Sequence, residues 1–174
     1  MDISKIKPGS NPDKVNALIE IPLGSNIKYE IDKESGAIVF DRIMYSSYHY
    51  PANYGFVPNT LAKDGDPADI LVLTDYALIP GCVIAVRLIG MLIMEDESGM
   101  DEKLLAVPVT KLDPTYENIK SYKDLPKLTL DRIKNFFETY KALEPGKWVK
   151  VKDFVGVEEA TKMLQEAIDA YKGE

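Results

Sequence analysis

Three aspartates within six residues form a dense group of potential metal ligands: Asp64, Asp66 and Asp69. Gly65 permits backbone conformations that other residues resist, and Pro67 disfavours helix at the residue before it. The segment is therefore predicted to be a turn or strand end that gathers carboxylates in a small volume. Carboxylate oxygens are hard ligands that suit Mg²⁺, Mn²⁺ or Ca²⁺. A solvated acidic turn would have the same composition, so the pattern alone leaves both interpretations open.

A second acidic segment spans residues 95–102, where five of the eight residues are Asp or Glu. It separates two apolar segments, which predicts the tip of a β-hairpin. If the fold brings Asp96 and Asp101 to the first turn, the crowded carboxylates raise one another's pKa unless cations are present. For Glu95, Glu97 and Glu102, a solvated hairpin tip is the simpler interpretation.

The spacing of the first turn excludes a calcium-binding EF-hand. Counted from Asp64, the fifth position is Ala68, which has no side-chain oxygen. The sixth is Asp69 where the loop needs glycine, and the twelfth is Asp75 where it needs glutamate.

Cations and tyrosines elsewhere in the chain could bind phosphate oxygens. Arginine offers a planar fork of donors, lysine a compact charge, and tyrosine a hydroxyl. Each alone has an ordinary structural explanation, such as a lysine near a helix C-terminus. Together with oxygen-ligated metals they favour phosphoryl transfer to water by two-metal chemistry. The candidates are Lys28, Arg42, Tyr54, Lys103, Tyr140 and Lys141.

The composition indicates an ordinary globular domain. The chain has 174 residues, 45% hydrophobic and 28% charged, and is interpreted as one domain over 1–174. Its net charge of −7 argues against a nucleic-acid partner. No apolar segment is long enough to span a membrane and none resembles a signal peptide, so the cytoplasm is the expected location. Cys82 is the only cysteine and His49 the only histidine, which excludes an internal disulfide and a His-rich metal site.

Apolar periodicity predicts many short strands followed by two helices. This order favours an α+β, mainly β arrangement in which a closed or strongly curved sheet packs against outer helices. Strands are predicted at 15–21, 27–32, 37–40, 55–57, 70–74, 83–94, 103–109 and 147–154, and helices at about 126–143 and 157–171.

Seven segments in order, from about Val15 to Phe154, resemble the soluble family I inorganic pyrophosphatases. The resemblance implies a five-stranded OB-type closed β-barrel with two flanking C-terminal helices. It also implies hydrolysis of pyrophosphate to two phosphates with several Mg²⁺ ions, for which Mn²⁺ could substitute. The segments are 19–22, 27–32, Asp41-Arg42, 50–55, 64–69, Asp96-Glu97 with Asp101 and Lys103, and Tyr140-Lys141 before 146–148.

The resemblance implies a role for each aspartate. Asp64, Asp69 and Asp101 would hold the first metal, with Asp69 shared with the second. Asp96 and Asp101 would hold a further metal that arrives with the substrate. Asp66 would orient and deprotonate the water that bridges the first two metals.

Substrate contacts are implied in the same way. Lys28, Arg42, Tyr54, Tyr140 and Lys141 would bind substrate and product phosphates. Lys103 would be a further cation of the substrate site, and Glu20, Glu30 and Glu97 would lie at its periphery. The family usually has a larger aliphatic residue at the position of Ala68, which is expected to point away from the ligands and to affect packing. Prokaryotic members commonly form hexamers, so a homohexamer is expected.

Two other functions remain as alternatives. The aromatic loop at residues 45–54 could belong to an OB-type module that binds single-stranded nucleic acid, although such modules need a basic groove. A non-catalytic metal-binding domain would explain the aspartates, but it leaves Lys28, Arg42, Lys103 and Lys141 without a role.

Overall fold

A computed structural model describes residues 1–171 of the chain. Within these residues ten strands precede or flank two α-helices, which confirms the mainly β class. The strands are β1 (Gly9–Ser10), β2 (Lys14–Ile21), β3 (Ile27–Ile31), β4 (Ile38–Ile43), β5 (Asn53–Phe56), β6 (Asp69–Val72), β7 (Val83–Asp96), β8 (Gly99–Met100), β9 (Lys103–Pro108) and β10 (Val149–Val155), and the helices are α1 (Lys127–Thr139) and α2 (Val157–Ala170).

Five of the described strands form a ring. The main sheet has the order β1-β2-β5-β6-β9-β7-β10, and β2 also pairs with β7, which connects the two ends of a five-strand path. β7 makes this possible because its 14 residues are long enough to pair with β2 through its first half and with β9 and β10 further along. The register of the β7–β9 pair shifts between Leu88 and Gly90. Gly90 has φ +153°, and a Cβ there would meet the Val155 carbonyl oxygen at 2.6 Å, so glycine suits this bend.

A separate two-stranded sheet, β3 and β4, lies outside the ring. Its register pairs Lys28 with Arg42 across the two strands. β4 continues to Ile43, beyond the predicted end at Phe40, so Asp41 and Arg42 lie within the strand and not after it. The alternation of apolar and polar residues predicted the hairpin correctly but did not show where its second strand ends.

Apolar residues of the ring pack against both helices. One buried cluster contains strand residues together with Ile133, Phe136 and Phe137 of α1. The other contains a different set of strand residues together with Ala160, Leu164 and Ala167 of α2. Ala68 is 1% exposed and belongs to the second cluster, so it does face the core as expected.

The ends of several elements differ from the predictions. β7 runs on to Asp96, two residues beyond the predicted end at Met94, so the hairpin tip begins two residues later. α1 ends at Thr139 and not at Leu143. Pro145 and Gly146 predict a later end, but the chain already leaves the helix at Tyr140. Lys141 therefore lies in the loop after the helix. Among residues 1–171, no helix is both long and apolar enough to cross a membrane.

Candidate active site

Both acidic segments, the cations and the tyrosines line one cleft. Its volume is about 320 Å³, and an adjoining cavity of about 280 Å³ shares Lys28, Tyr54 and the aspartates of the first turn with it. Glu20 and Glu30 line only the adjoining cavity, so they lie to one side of the cleft. The remaining predicted residues lining the cleft are Lys28, Arg42, Tyr54, Asp64, Asp66, Asp69, Asp96, Glu97, Asp101, Lys103, Tyr140 and Lys141.

The first turn holds its aspartates at different depths. Asp69 is the first residue of β6 and pairs with Phe56, so the sheet fixes its position. Asp64 Oδ1 accepts the Asp66 backbone N–H at 3.0 Å, and Gly65 between them has φ +92°. The Asp66 side chain is 72% exposed and forms an ion pair with Lys33 at 2.8 Å. Burial raises the pKa of the Asp64 carboxyl above its usual range.

Lys103 joins the two acidic segments. Lys103 is the first residue of β9. It is almost fully buried, with 3% of its surface exposed. Its ammonium donates to Asp69 Oδ2 at 2.5 Å and also to Asp101 Oδ1. Burial alone would lower the pKa of Lys103, but the two carboxylates outweigh it and raise the pKa. The sequence predicted a cation in the site; it did not predict that this cation would lie between two proposed metal ligands.

Asp101 is the second carboxylate that contacts Lys103. Burial raises the pKa of Asp101, although Lys103 opposes the shift. The backbone N–H of Asp101 donates to the Met94 carbonyl at 3.0 Å, which fixes the residue against β7. Asp101 and Asp69 thus contact the same ammonium from the ends of separate segments of the chain.

The end of β7 carries a second ionic group. Asp96 is 7% exposed, and its carboxylate accepts from Lys141 Nζ at 2.7 Å and from the Ser98 N–H at 2.8 Å. Burial would raise the pKa of Asp96, but the hydrogen bonds from Lys141 and Ser98 lower it overall. Glu97 lies next to this pair, 3.8 Å from Lys141 Nζ and 2.5 Å from Lys147 Nζ. Lys147 lies in one of the segments that resemble the family, but the resemblance implies no role for it.

Three tyrosines form the apolar side of the cleft. Tyr50 and Tyr54 lie with ring centroids 5.5 Å apart, and Tyr140 stacks on Phe136 at 5.2 Å. Burial raises the pKa of all three hydroxyls, which keeps them protonated and able to donate. Tyr50 was not among the predicted site residues, although it lies in the 50–55 segment that resembles the family. Its aromatic neighbours suggested only a loop.

Lys28 and Arg42 are brought together by the β3–β4 hairpin. Asp41 Oδ2 lies 3.1 Å from Lys28 Nζ and 2.6 Å from Arg42 Nη1. Lys28 also contacts Glu30 at 2.5 Å, and Arg42 Nη2 lies 3.3 Å from Glu144 Oε1. Glu144 was not predicted to take part, because nothing in its local sequence reveals that it faces Arg42. Asp41 directly precedes Arg42 in the sequence, but it was assigned no role.

Glu20 is a partly buried carboxyl at the edge of the site. Its Oε1 accepts the Ile31 backbone N–H at 2.8 Å. Burial raises the pKa of Glu20 to about 7, and the nearby charges of Asp69 and Glu30 add to the effect. This carboxyl therefore changes charge near neutral pH.

The donors of the cleft suit a hard divalent cation, since its acidic ligands are all carboxylates. The raised pKa values of Asp64 and Asp101 reflect buried carboxyls that a cation would stabilise as anions. Over residues 1–171, however, no three acidic, histidine or cysteine side chains already surround a single metal-sized position. Lysines occupy the intervening space: Lys103 lies between Asp69 and Asp101, and Lys141 lies on Asp96. The ligand types fit the predicted metals. In the structure, however, lysine ammonium groups lie against Asp69, Asp96 and Asp101, where a metal ion would bind.

Carboxylates opposed by lysines, an arginine and protonated tyrosines, at one cleft of a mainly β fold, define a hydrolase of the phosphoryl-transfer type. The sequence profile of the inorganic pyrophosphatase family matches residues 17–172. The chain is 66% identical to the inorganic pyrophosphatase of Campylobacter jejuni over 172 residues, which cover 99% of this chain and 100% of that protein. The chain belongs to the inorganic pyrophosphatase family.

Solved structures agree with this assignment. The inorganic pyrophosphatase of Helicobacter pylori superposes with a TM-score of 0.94 at 58% identity, over 97% of this chain and 99% of that chain. The enzyme of Thermus thermophilus gives a TM-score of 0.93 at 44% identity, over 99% of this chain and 100% of that chain. The similarity therefore extends over nearly the whole fold and is not confined to the site.

Proposed function

We propose that the chain hydrolyses pyrophosphate to two orthophosphates in the cleft between the 64–69 turn and the end of β7, with Asp66 as general base. The reaction is that of the family to which the chain belongs, and the residue roles are our proposal. The observation that carries them is the contact of Lys103 with both Asp69 and Asp101, which brings two distant acidic segments to one point.

The proposed proton acceptor is Asp66. Its exposed position in the turn, between Asp64 and Asp69, leaves its carboxylate accessible to a water molecule in the cleft. A carboxylate within hydrogen-bond reach of the attacking water can take its proton as the new P–O bond forms. Lys33 faces this carboxylate, with its Nζ 2.8 Å from Asp66 Oδ1.

The phosphate groups are proposed to bind on the cationic and phenolic side of the cleft. Lys28, Arg42 and Lys141 offset charge on the phosphoryl oxygens and on the leaving phosphate. Tyr54 and Tyr140 donate from hydroxyls that burial keeps protonated. A leaving phosphate held in this way needs no strong general acid.

The proposed metal ligands are Asp64, Asp69, Asp96 and Asp101, with Mg²⁺ as the metal and Mn²⁺ as a substitute. A divalent cation, when bound, supplies a nucleophilic water at neutral pH and offsets negative charge on the phosphates. Lys103 pairs with Asp69 and Asp101, and Lys141 pairs with Asp96, so the two lysines must share or yield three of the four carboxylates when metal binds.

Three further features belong to the same proposal. The five-strand ring supports an OB-type closed barrel with two flanking helices. Family membership supports assembly into a homohexamer. The lone Cys82 supports a cytoplasmic location, where thiols stay reduced.

The test is a phosphate-release assay that compares pyrophosphate, tripolyphosphate and ATP, each with Mg²⁺, Mn²⁺ or Ca²⁺. We expect release from pyrophosphate with Mg²⁺, less with Mn²⁺, and little from ATP. Metal binding without phosphate release would instead favour the non-catalytic metal-binding domain. Tight, salt-sensitive binding of a single-stranded oligonucleotide would favour the nucleic-acid module, against which the carboxylates of the cleft already argue.

A further inference from the structure

Glu144 lies in the loop between α1 and β10, beside the cleft but outside the residues assigned above. Its side chain is only 10% exposed. Its Oε1 is 3.3 Å from Nη2 of Arg42, which is 102 positions away in sequence. A carboxylate that is nearly buried needs a cationic or hydrogen-bonding partner, and Arg42 supplies one.

The Arg42 guanidinium is held at both ends. Nη1 donates to Asp41 Oδ2 at 2.6 Å, and Nη2 donates to Glu144. A guanidinium carries five N–H donors in a rigid plane, so these two contacts leave three donors for another group. Among residues 1–171 the buried Nε of Arg42 has no hydrogen-bond partner, which marks it as a donor still to be satisfied.

The loop does not need Glu144 to stay in place. Lys141 already anchors one end on Asp96 at 2.7 Å, and Lys147 anchors the other on Glu97 at 2.5 Å. Glu144 lies between these two lysines in the sequence. Within the described residues, Arg42 is the one cation with which it forms an ion pair. Its contact therefore serves the orientation of Arg42 more than the attachment of the loop.

We propose that Glu144 is a positioning residue for Arg42, and that it fixes the plane of the guanidinium so that the remaining donors face a phosphate in the cleft. The inference rests on the proposed function, since it takes Arg42 as a phosphate ligand. A long arginine side chain loses less entropy on binding phosphate when its fork is already oriented. Asp41 fixes one end of the guanidinium. With that contact alone the guanidinium could still rotate about that end, and the second contact, with Glu144, prevents this rotation.

The first test compares E144Q and E144D with wild type and with E138Q, an exposed change on α1. Isothermal titration with inorganic phosphate and Mg²⁺ gives the phosphate Kd, and steady-state kinetics separate KM for pyrophosphate from kcat. We expect E144Q to weaken phosphate binding and raise KM by roughly tenfold, as for loss of one charge-assisted hydrogen bond. E144D, which keeps the charge on a shorter arm, should lose less, and E138Q should match wild type.

A merely structural role predicts a different result. E144Q would then lower the unfolding midpoint while the phosphate Kd and KM of the folded protein stay at wild-type values, and this outcome would overturn the proposal. If E144Q does not fold, E144D carries the same comparison, because wild-type phosphate affinity in E144D together with a lowered unfolding midpoint would equally overturn it.

A double-mutant cycle with R42K completes the test. If Glu144 acts through Arg42, E144Q adds little to the loss already caused by R42K. A full additional loss in the R42K background would overturn the inference while leaving Arg42 as a phosphate ligand. Unchanged phosphate affinity in R42K alone would remove the role of Arg42 and the inference with it, although pyrophosphate hydrolysis by the wild type would still stand. Absence of that hydrolysis in the wild type is the separate result that contradicts the proposed function.

Discussion

The two acidic segments of the cleft are built in opposite ways. The 64–69 turn carries Asp66 in solvent, with a side chain 72% exposed and a partner, Lys33, that is itself 58% exposed. The end of β7 and the start of β9 carry Asp96 and Lys103 almost fully buried, at 7% and 3% exposure. The charged side chains of the two segments thus meet very different dielectric surroundings.

The two segments therefore differ in how much their charged groups contribute to the stability of the fold. An exposed ion pair contributes little to folding because water and salt screen it. A buried charge that loses its partner is costly, since desolvation is no longer offset. We therefore expect changes in the turn to affect catalysis with little effect on folding, and changes at Lys103 to affect both.

The largest effect is expected from D66N in the exposed turn. Loss of the general base should lower kcat for pyrophosphate by roughly 10²- to 10⁴-fold, while circular dichroism and the unfolding midpoint stay at wild-type values. D131N, an exposed change on α1, is the matched control and should leave kcat unchanged. Near-normal turnover of D66N would show that Asp66 is not the base.

The next effect is expected from K103M in the buried segment. Without the ammonium, Asp69 and Asp101 face each other with no cation, which should lower the free energy of unfolding of the metal-free protein by about 3–5 kcal/mol. Urea denaturation in the presence of EDTA measures this. K127M, which breaks the exposed pair with Asp131, should change it by less than about 1 kcal/mol. Equal effects of the two variants would contradict the contrast between the segments.

A pH-dependent effect is expected from Glu20, at the edge between the two segments. Its pKa is raised from 4.5 to about 7, so the folded protein holds a proton that the unfolded chain has released between these values. Stability from this group is complete below pH 4.5 and is lost as pH rises through 7. E20Q removes the loss, so by pH 8 it should be more stable than wild type by up to about 3 kcal/mol.

Urea unfolding of the two metal-free proteins between pH 5 and 8 checks this prediction. Glutamine can still accept the Ile31 N–H through its own oxygen, which makes E20Q a conservative replacement. A stability difference that stays constant with pH would show that Glu20 titrates normally in the folded protein.

The smallest effect on folding is expected from K33M, the exposed counterpart of K103M. Lys33 and Asp66 are both largely in solvent, so breaking their pair should change the free energy of unfolding by less than about 1 kcal/mol. The same urea titration applies. A loss comparable to that of K103M would mean that the turn is structurally coupled to the core.

The sequence predicted much of the site because its residues carry local signals. Gly65 and Pro67 set the turn that presents three aspartates, and alternation in residues 27–32 placed Lys28 and Glu30 on one face of a strand, where the structure finds them in contact. Residues whose importance depends on a distant partner were missed. Tyr50, Glu144 and Lys147 have ordinary sequence neighbours, and each faces the cleft only because separate segments meet there.

By itself the sequence determined the class of fold, the two acidic segments and the chemistry their oxygen ligands favour, because periodicity and residue type act within a few positions. Tertiary structure alone decided that Asp69 and Asp101 share one buried lysine and that Asp66 stays in solvent. Desolvation depends on what surrounds a side chain in three dimensions, and Lys103 begins a strand of a ring that is closed by strands far apart in the chain.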